Sequence, residues 1–127
     1  EFKAAVTNVG SLQLAQSPSF NSQLDGVVFP TLLECFSATP IEALATRTPL
    51  FASDRPFVRD TVGGHGEFFD PLDPEDVARS IAAYFQRPSE DRQKELDAGY
   101  EYVTGGGYTS RERARAVLRI IDGGVVG

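Results

Sequence analysis

The sequence predicts an α/β fold in which a parallel sheet is flanked by helices, and three observations carry that expectation. Short apolar runs at 27–29, 50–52 and 67–69 alternate with segments of helical character. The first run, Val27-Val28-Phe29, is rich in β-branched and aromatic residues and is closed by Pro30, as in a strand covered on both faces. Helix-start signals follow the first and third runs, at Thr39-Pro40-Ile41-Glu42 and Asp73-Pro74-Glu75-Asp76. Buried strands alternating with helices argue for a parallel sheet.

Taken in order, residues 4–12 contain an apolar run ending at Gly10, read as a weak strand, and a short helix is expected near 19–24. Asp25-Gly26 is a turn signal before the first buried strand. Thr39 is expected to cap a helix with Pro40 at its first position, and Thr48-Pro49 stops that helix near Arg47. The second strand, 50–52, leads into the loop 53–56 and one or two helical turns over 57–62. Gly63-Gly64-His65-Gly66 connects to the third strand, 67–69, closed by Asp70-Pro71. Asp73 and Pro74 then open the clearest helix, whose Val77, Ile81, Tyr84 and Phe85 form an apolar stripe, and Pro88 ends it. Residues 90–102 read as a charged surface helix, stopped before the spacer 105–107. Thr109 and Glu112 suggest a last helix to Ile121 with Ala114, Val117, Leu118 and Ile121 on one face.

A chain of 127 residues with 41% hydrophobic content holds one core, so the expectation is one domain or part of one over residues 1–121, with 122–127 as a flexible tail. Acidic residues (18) outnumber Lys plus Arg (12), giving a net charge of −6 without any basic run, which disfavours nucleic acid and anionic lipid as partners. The single Cys35 excludes an intramolecular disulfide and fits a reducing compartment. No apolar stretch approaches the roughly 20 residues of a membrane span. No signal-peptide pattern opens the chain, so a soluble, cytoplasmic body is the expectation. The sequence has no methionine, which suggests a fragment rather than an intact reading frame.

The stretch 27–45 is the candidate site. Ligands of open parallel sheets sit outside the carboxyl ends of the strands, and Glu34, Ser53-Asp54 and Asp70 all fall at such ends and are expected to share one edge. Glu34 sits in the loop and Glu42 in the first turn of the following helix. Glu42 is placed equally well to complete a capping box with Thr39 or to hold a ligand. Asp54 either lines the site or caps the short helix near Phe57. Cys35 beside Glu34 offers a nucleophile reading with His65 as the only histidine, but no base at fixed geometry is evident, and His65 among glycines reads as an ordinary loop residue. The glycines 63–66 lack the Lys-Ser/Thr of a phosphate loop.

The run Phe29-Pro30-Thr31, then Glu34, then Pro40-Ile41-Glu42-Ala43-Leu44-Ala45-Thr46-Arg47-Thr48-Pro49, then Ser53-Asp54 and Phe69-Asp70-Pro71-Leu72-Asp73-Pro74, resembles the C-terminal donor-binding domain of family 4 glycosyltransferases. The resemblance spans about residues 26–85. It rests on two glutamates separated by seven residues, an Ala-rich helix, a proline-led strand and a Ser-Asp pair. It implies a Rossmann-like domain and transfer of a hexosyl group from a nucleotide sugar, usually with retained anomeric configuration and without a cofactor or an essential metal. By the resemblance, Glu34, Cys35, Phe36, Ser37, Ala38 and Thr39 would meet the donor sugar and diphosphate, and Glu42 the ribose hydroxyls. No residue of the chain is assigned a catalytic role. Where that family commonly has Gly-Phe-Gly, this chain has Cys35-Phe36-Ser37, whose added Cβ atoms narrow the approach.

The resemblance also implies diphosphate-holding Arg and Lys residues and an acceptor domain that the sequence does not contain. Residues 4–10 would then be the third strand of a Rossmann order and 27–29 the fourth, so the sheet is expected to be incomplete, with an open edge. A second copy, or a rearranged N-terminal segment, would cover that edge. The rival reading is a non-catalytic α/β binding or assembly module that keeps the fold.

Overall fold

The computed structural model describes residues 2–105, 114–115 and 117–119. Its elements are α1 (Phe2–Ala5), a 3-10 turn (Leu14–Gln16), α2 (Ser17–Asn21), β1 (Val27–Phe29), α3 (Thr39–Ala45), β2 (Leu50–Ser53), α4 (Pro56–Val62), β3 (Glu67–Phe69), α5 (Pro74–Gln86) and α6 (Ser89–Thr104). The strands pair in parallel in the order β1-β2-β3, with Phe29 opposite Ala52 and Ser53 opposite Phe69. The expected α/β sheet flanked by helices is therefore present, as an incomplete Rossmann-like fold.

Strand β2 is the centre of the core: Leu50, Phe51, Ala52 and Ser53 are at most 2% exposed. Successive side chains of a strand point to opposite faces. Leu50 and Ala52 accordingly pack with Ala43, Leu44, Val58 and Val62 of α3 and α4. Phe51 packs on the other face with Phe69 and Tyr84, supported by Val77 and Ile81. The Phe51 and Tyr84 rings meet edge to face at 5.3 Å, a geometry that suits the aromatic quadrupole. The stripe expected on α5 is thus confirmed for Val77, Ile81 and Tyr84, while Phe85 stays 44% exposed.

Helix α6 crosses α3. Its Gly99 is buried and lies so close to Leu44 that an added Cβ would stand 3.0 Å from Leu44 Cδ2. Arg47, just past the end of α3, has φ +54°, a left-handed conformation uncommon for a residue with a Cβ. Its guanidinium reaches α6, where Nε donates to Asp97 at 2.7 Å and the group lies 3.6 Å over the Tyr100 ring. At the start of β3, Arg87 joins Glu67 at 2.7 Å and Glu95 of α6 at 3.0 Å. Burial pushes the Glu95 carboxyl up from its ordinary value, and Arg87 opposes that shift.

Three expectations need correction. Residues 4–10 form no strand: Phe2–Ala5 is helical, and 6–13 has no regular structure and is exposed. A strand needs a neighbour for its backbone groups; Gly10 instead turns at φ +72° and donates its amide to the Asn8 side chain. The helix near 19–24 begins earlier, at Ser17, and ends at Asn21. Thr39 is not a cap. Ala38 already has helical dihedrals (φ −76°, ψ −23°) and its carbonyl accepts from the Glu42 amide at 2.9 Å, so Ala38 is the cap and supplies no side-chain hydrogen bond.

The expected last helix to Ile121 lies largely outside the described residues. Within it Ala114, Arg115, Val117, Leu118 and Arg119 are helical and exposed. The glycines 106–107 and the tail 122–127 lie outside the described residues.

Asp73, by contrast, caps α5 as expected, its Oδ1 accepting from the amides of Glu75 (2.9 Å) and Asp76 (3.2 Å). Asp73→Ala should therefore lower stability by about 1 kcal/mol in urea unfolding, whereas Thr39→Ala should stay within about 0.5 kcal/mol of the native chain. An equal loss in the two variants would restore Thr39 as a cap.

Candidate functional site

The parallel register sets the carboxyl ends of β1, β2 and β3 side by side, so Glu34, Asp54 and Asp70 follow strand ends on one edge of the sheet. Their carboxylates have different occupations. Asp54 forms a two-pronged ion pair with Arg59, Nε to Oδ1 at 2.6 Å and Nη2 to Oδ2 at 3.0 Å, and caps no helix. Arg59 in turn lies 4.0 Å from the Phe68 ring centroid. Asp70 folds its own turn: Oδ1 accepts from the Leu72 amide at 3.0 Å, while its amide donates to Asp76 at 2.8 Å. Glu34 is exposed, and among the described residues nothing pairs with its carboxylate. Of the three acids, Glu34 alone has no hydrogen-bond or ion-pair partner among the described residues.

Beside Glu34 lies a narrow cleft between the loop after β1 and helix α4. Glu34, Cys35, Phe36 and Ser37 form one wall, and Phe57, Val58 and Thr61 the other. Its enclosed part holds about 30 Å³, space for about one water molecule. Cys35 and Phe36 are exposed and Ser37 is half-buried; the Ser37 hydroxyl accepts weakly from the Thr39 amide at 3.4 Å. Ala38 and Thr39 are exposed at the start of α3 but do not line the cleft.

Glu42 lies elsewhere. It lines a second hollow of about 410 Å³ between α2 and α3, with Leu14, Ser17, Pro18, Ala45 and Thr46. The Ser17 hydroxyl donates to Glu42 Oε2 at 3.2 Å, so Glu42 completes no capping box and joins the two helices instead. The two glutamates thus belong to different hollows, one between the loop before α3 and α4 and the other between α2 and α3. The second is a half-open surface hollow with a mostly apolar lining and one charged group. Ser17 and Leu14 were not singled out from the sequence, because 25 residues separate Ser17 from Glu42 and only packing brings them together.

No basic residue among those described lines either hollow. No group of three or more His, Cys, Asp or Glu suited to a metal ion occurs among the described residues. Nor is any described helix long and apolar enough to cross a membrane.

The Arg59 guanidinium holds the Asp54 carboxyl below its usual value against a smaller opposing effect of desolvation. A depressed folded pKa contributes stability above the unfolded value, lost as pH falls through the folded one. Carboxyl-carbon NMR should therefore place the Asp54 midpoint below the ordinary ~3.9, and Arg59→Gln should move it up. An unchanged midpoint would show that the pair does not persist in solution.

The family model described as "Glycosyl transferases group 1" matches residues 1–101 of the chain. No curated protein matches it.

Proposed function

The chain belongs to the group 1 glycosyl transferases, and from that premise we propose that it is the donor-side portion of a nucleotide-sugar-dependent enzyme of the family 4 type. The reaction is transfer of a hexosyl group to a sugar or other acceptor with retained anomeric configuration. The observation that supports this reading is the separation of two acids, Glu34 in the loop before α3 and Glu42 on α3 itself, into two different hollows. A nucleotide sugar has two hydroxyl-rich ends joined by a diphosphate. One carboxylate at each end accepts hydrogen bonds from those hydroxyls, and hydrogen bonds to an ionised acceptor are the stronger kind.

In this reading the nucleoside enters the larger hollow with its ribose on Glu42, and the sugar reaches Glu34 through Cys35, Phe36, Ser37, Ala38 and Thr39. The chain's contribution is orientation of the donor. Positive charge for the diphosphate comes from residues other than those lining the hollows, and the acceptor comes from a separate domain. The chain by itself is therefore not expected to transfer.

The narrowness of the Glu34 cleft favours a second reading, a binding or assembly module that retains the nucleoside hollow and does not seat a sugar. Calorimetric titration with nucleoside diphosphates and their sugar conjugates separates the two. The donor reading predicts that the conjugate binds more tightly than the free nucleotide. Glu34→Ala then removes that advantage, and Glu42→Ala weakens both ligands by about tenfold or more. Equal affinity for nucleotide and conjugate supports the module; no binding of either contradicts both.

A further inference from the structure

Ser17 is half-buried at the first position of α2, and its hydroxyl donates to Glu42 Oε2 at 3.2 Å. Among the described residues none donates to Oε1, and Ser17 and Glu42 line the same hollow. The bond is not what holds α2 in place. At the other end of that helix the buried Thr48 hydroxyl donates to the Asn21 carbonyl at 2.9 Å, and Leu24 packs on the core. A glutamate side chain has three rotatable bonds and loses considerable freedom when fixed. A donor on one oxygen, supplied by a helix anchored elsewhere, settles which way the carboxylate faces.

We propose that Ser17 is a positioning residue that aims the Glu42 carboxylate at a cis-diol, so that the hollow between α2 and α3 selects ribonucleotides over their 2′-deoxy counterparts. This inference rests on the ribose reading of Glu42 given above. The physical basis is that a site built to accept from a hydroxyl penalises the analogue lacking it, because a partly buried acceptor is left unpaired. With Leu14, Pro18 and Ala45 apolar and Ser17 and Thr46 neutral, the Glu42 carboxylate is the one charged group among the described residues that line the hollow. Discrimination at the sugar 2′ position therefore depends on where that carboxylate points.

The test titrates the 127-residue chain with UDP, GDP and ADP and with their 2′-deoxy analogues. Native chain, Ser17→Ala, Ser17→Thr and Glu42→Ala are compared, and thermal unfolding confirms that each variant is folded. For the nucleotide that binds, the native chain should prefer the ribo form by about tenfold. Ser17→Ala should reduce the preference to within about threefold, and Ser17→Thr, which keeps the hydroxyl, should restore it. A merely structural Ser17 would lower the unfolding temperature and leave the ratio unchanged. Discrimination that Glu42→Ala abolishes and Ser17→Ala preserves overturns the role of Ser17 alone. A native chain that binds without discrimination, or binds none of the six, overturns the ribose reading of Glu42 and this inference with it.

Discussion

A four-residue strand that is hydrogen-bonded on both sides and covered on both faces sets the frame on which the loops at the sheet edge and helix α3 are placed. Strand β2 pairs in parallel with β1 and β3. Its Leu50 and Ala52 face α3 and α4 while Phe51 faces α5. A shift of one residue in its register would exchange those faces and place Phe51 against the helices that now receive Ala52. Ser53, at its end, donates to the carbonyl of Phe29 at 3.3 Å and so ties the end of β1 to that of β2. The common edge that carries Glu34, Asp54 and Asp70 follows from that register.

Along this edge the acids divide by what else they do. Asp54 and Asp70 are consumed by Arg59 and by the turn before α5, which makes them parts of the scaffold. Among the described residues Glu34 stands in a loop without such a partner, and Glu42 has one that donates to a single carboxylate oxygen. Helix α3 separates the two glutamates into different hollows, a layout suited to a ligand with two polar ends. The helix is held in turn from outside the sheet: α6 packs Gly99 against Leu44, and Arg47 accepts a left-handed conformation while binding Asp97 and Tyr100. Glycine would adopt that conformation without cost but would give up both contacts.

What was legible in the sequence was what local chemistry decides. The three strands appear within a residue of their expected bounds because each is a short apolar run whose burial overrides other preferences. The Asp73 cap is contained in four consecutive residues, and it holds. Thr39 carried the same kind of signal and failed, since the dihedrals of Ala38 begin the helix one residue earlier and Ser17 takes the Glu42 carboxylate. Residues 4–10 had strand composition, but strand formation depends on a neighbour that composition does not supply. The Ser17–Glu42 bond and the left-handed Arg47 were invisible for the same reason, because tertiary packing creates both.

In the proposed donor reading, one bound nucleotide sugar reaches from the Glu42 hollow to the Glu34 cleft. Backbone amide shifts followed by NMR during titration test it most directly. A nucleoside diphosphate should move the amides of Leu14, Ser17, Glu42 and Thr46, and the corresponding nucleotide sugar should move these together with Glu34, Cys35, Phe36 and Ser37. Shifts confined to one hollow with both ligands, or centred on Glu67, Arg87 and Glu95 at the opposite end of the sheet, would contradict it.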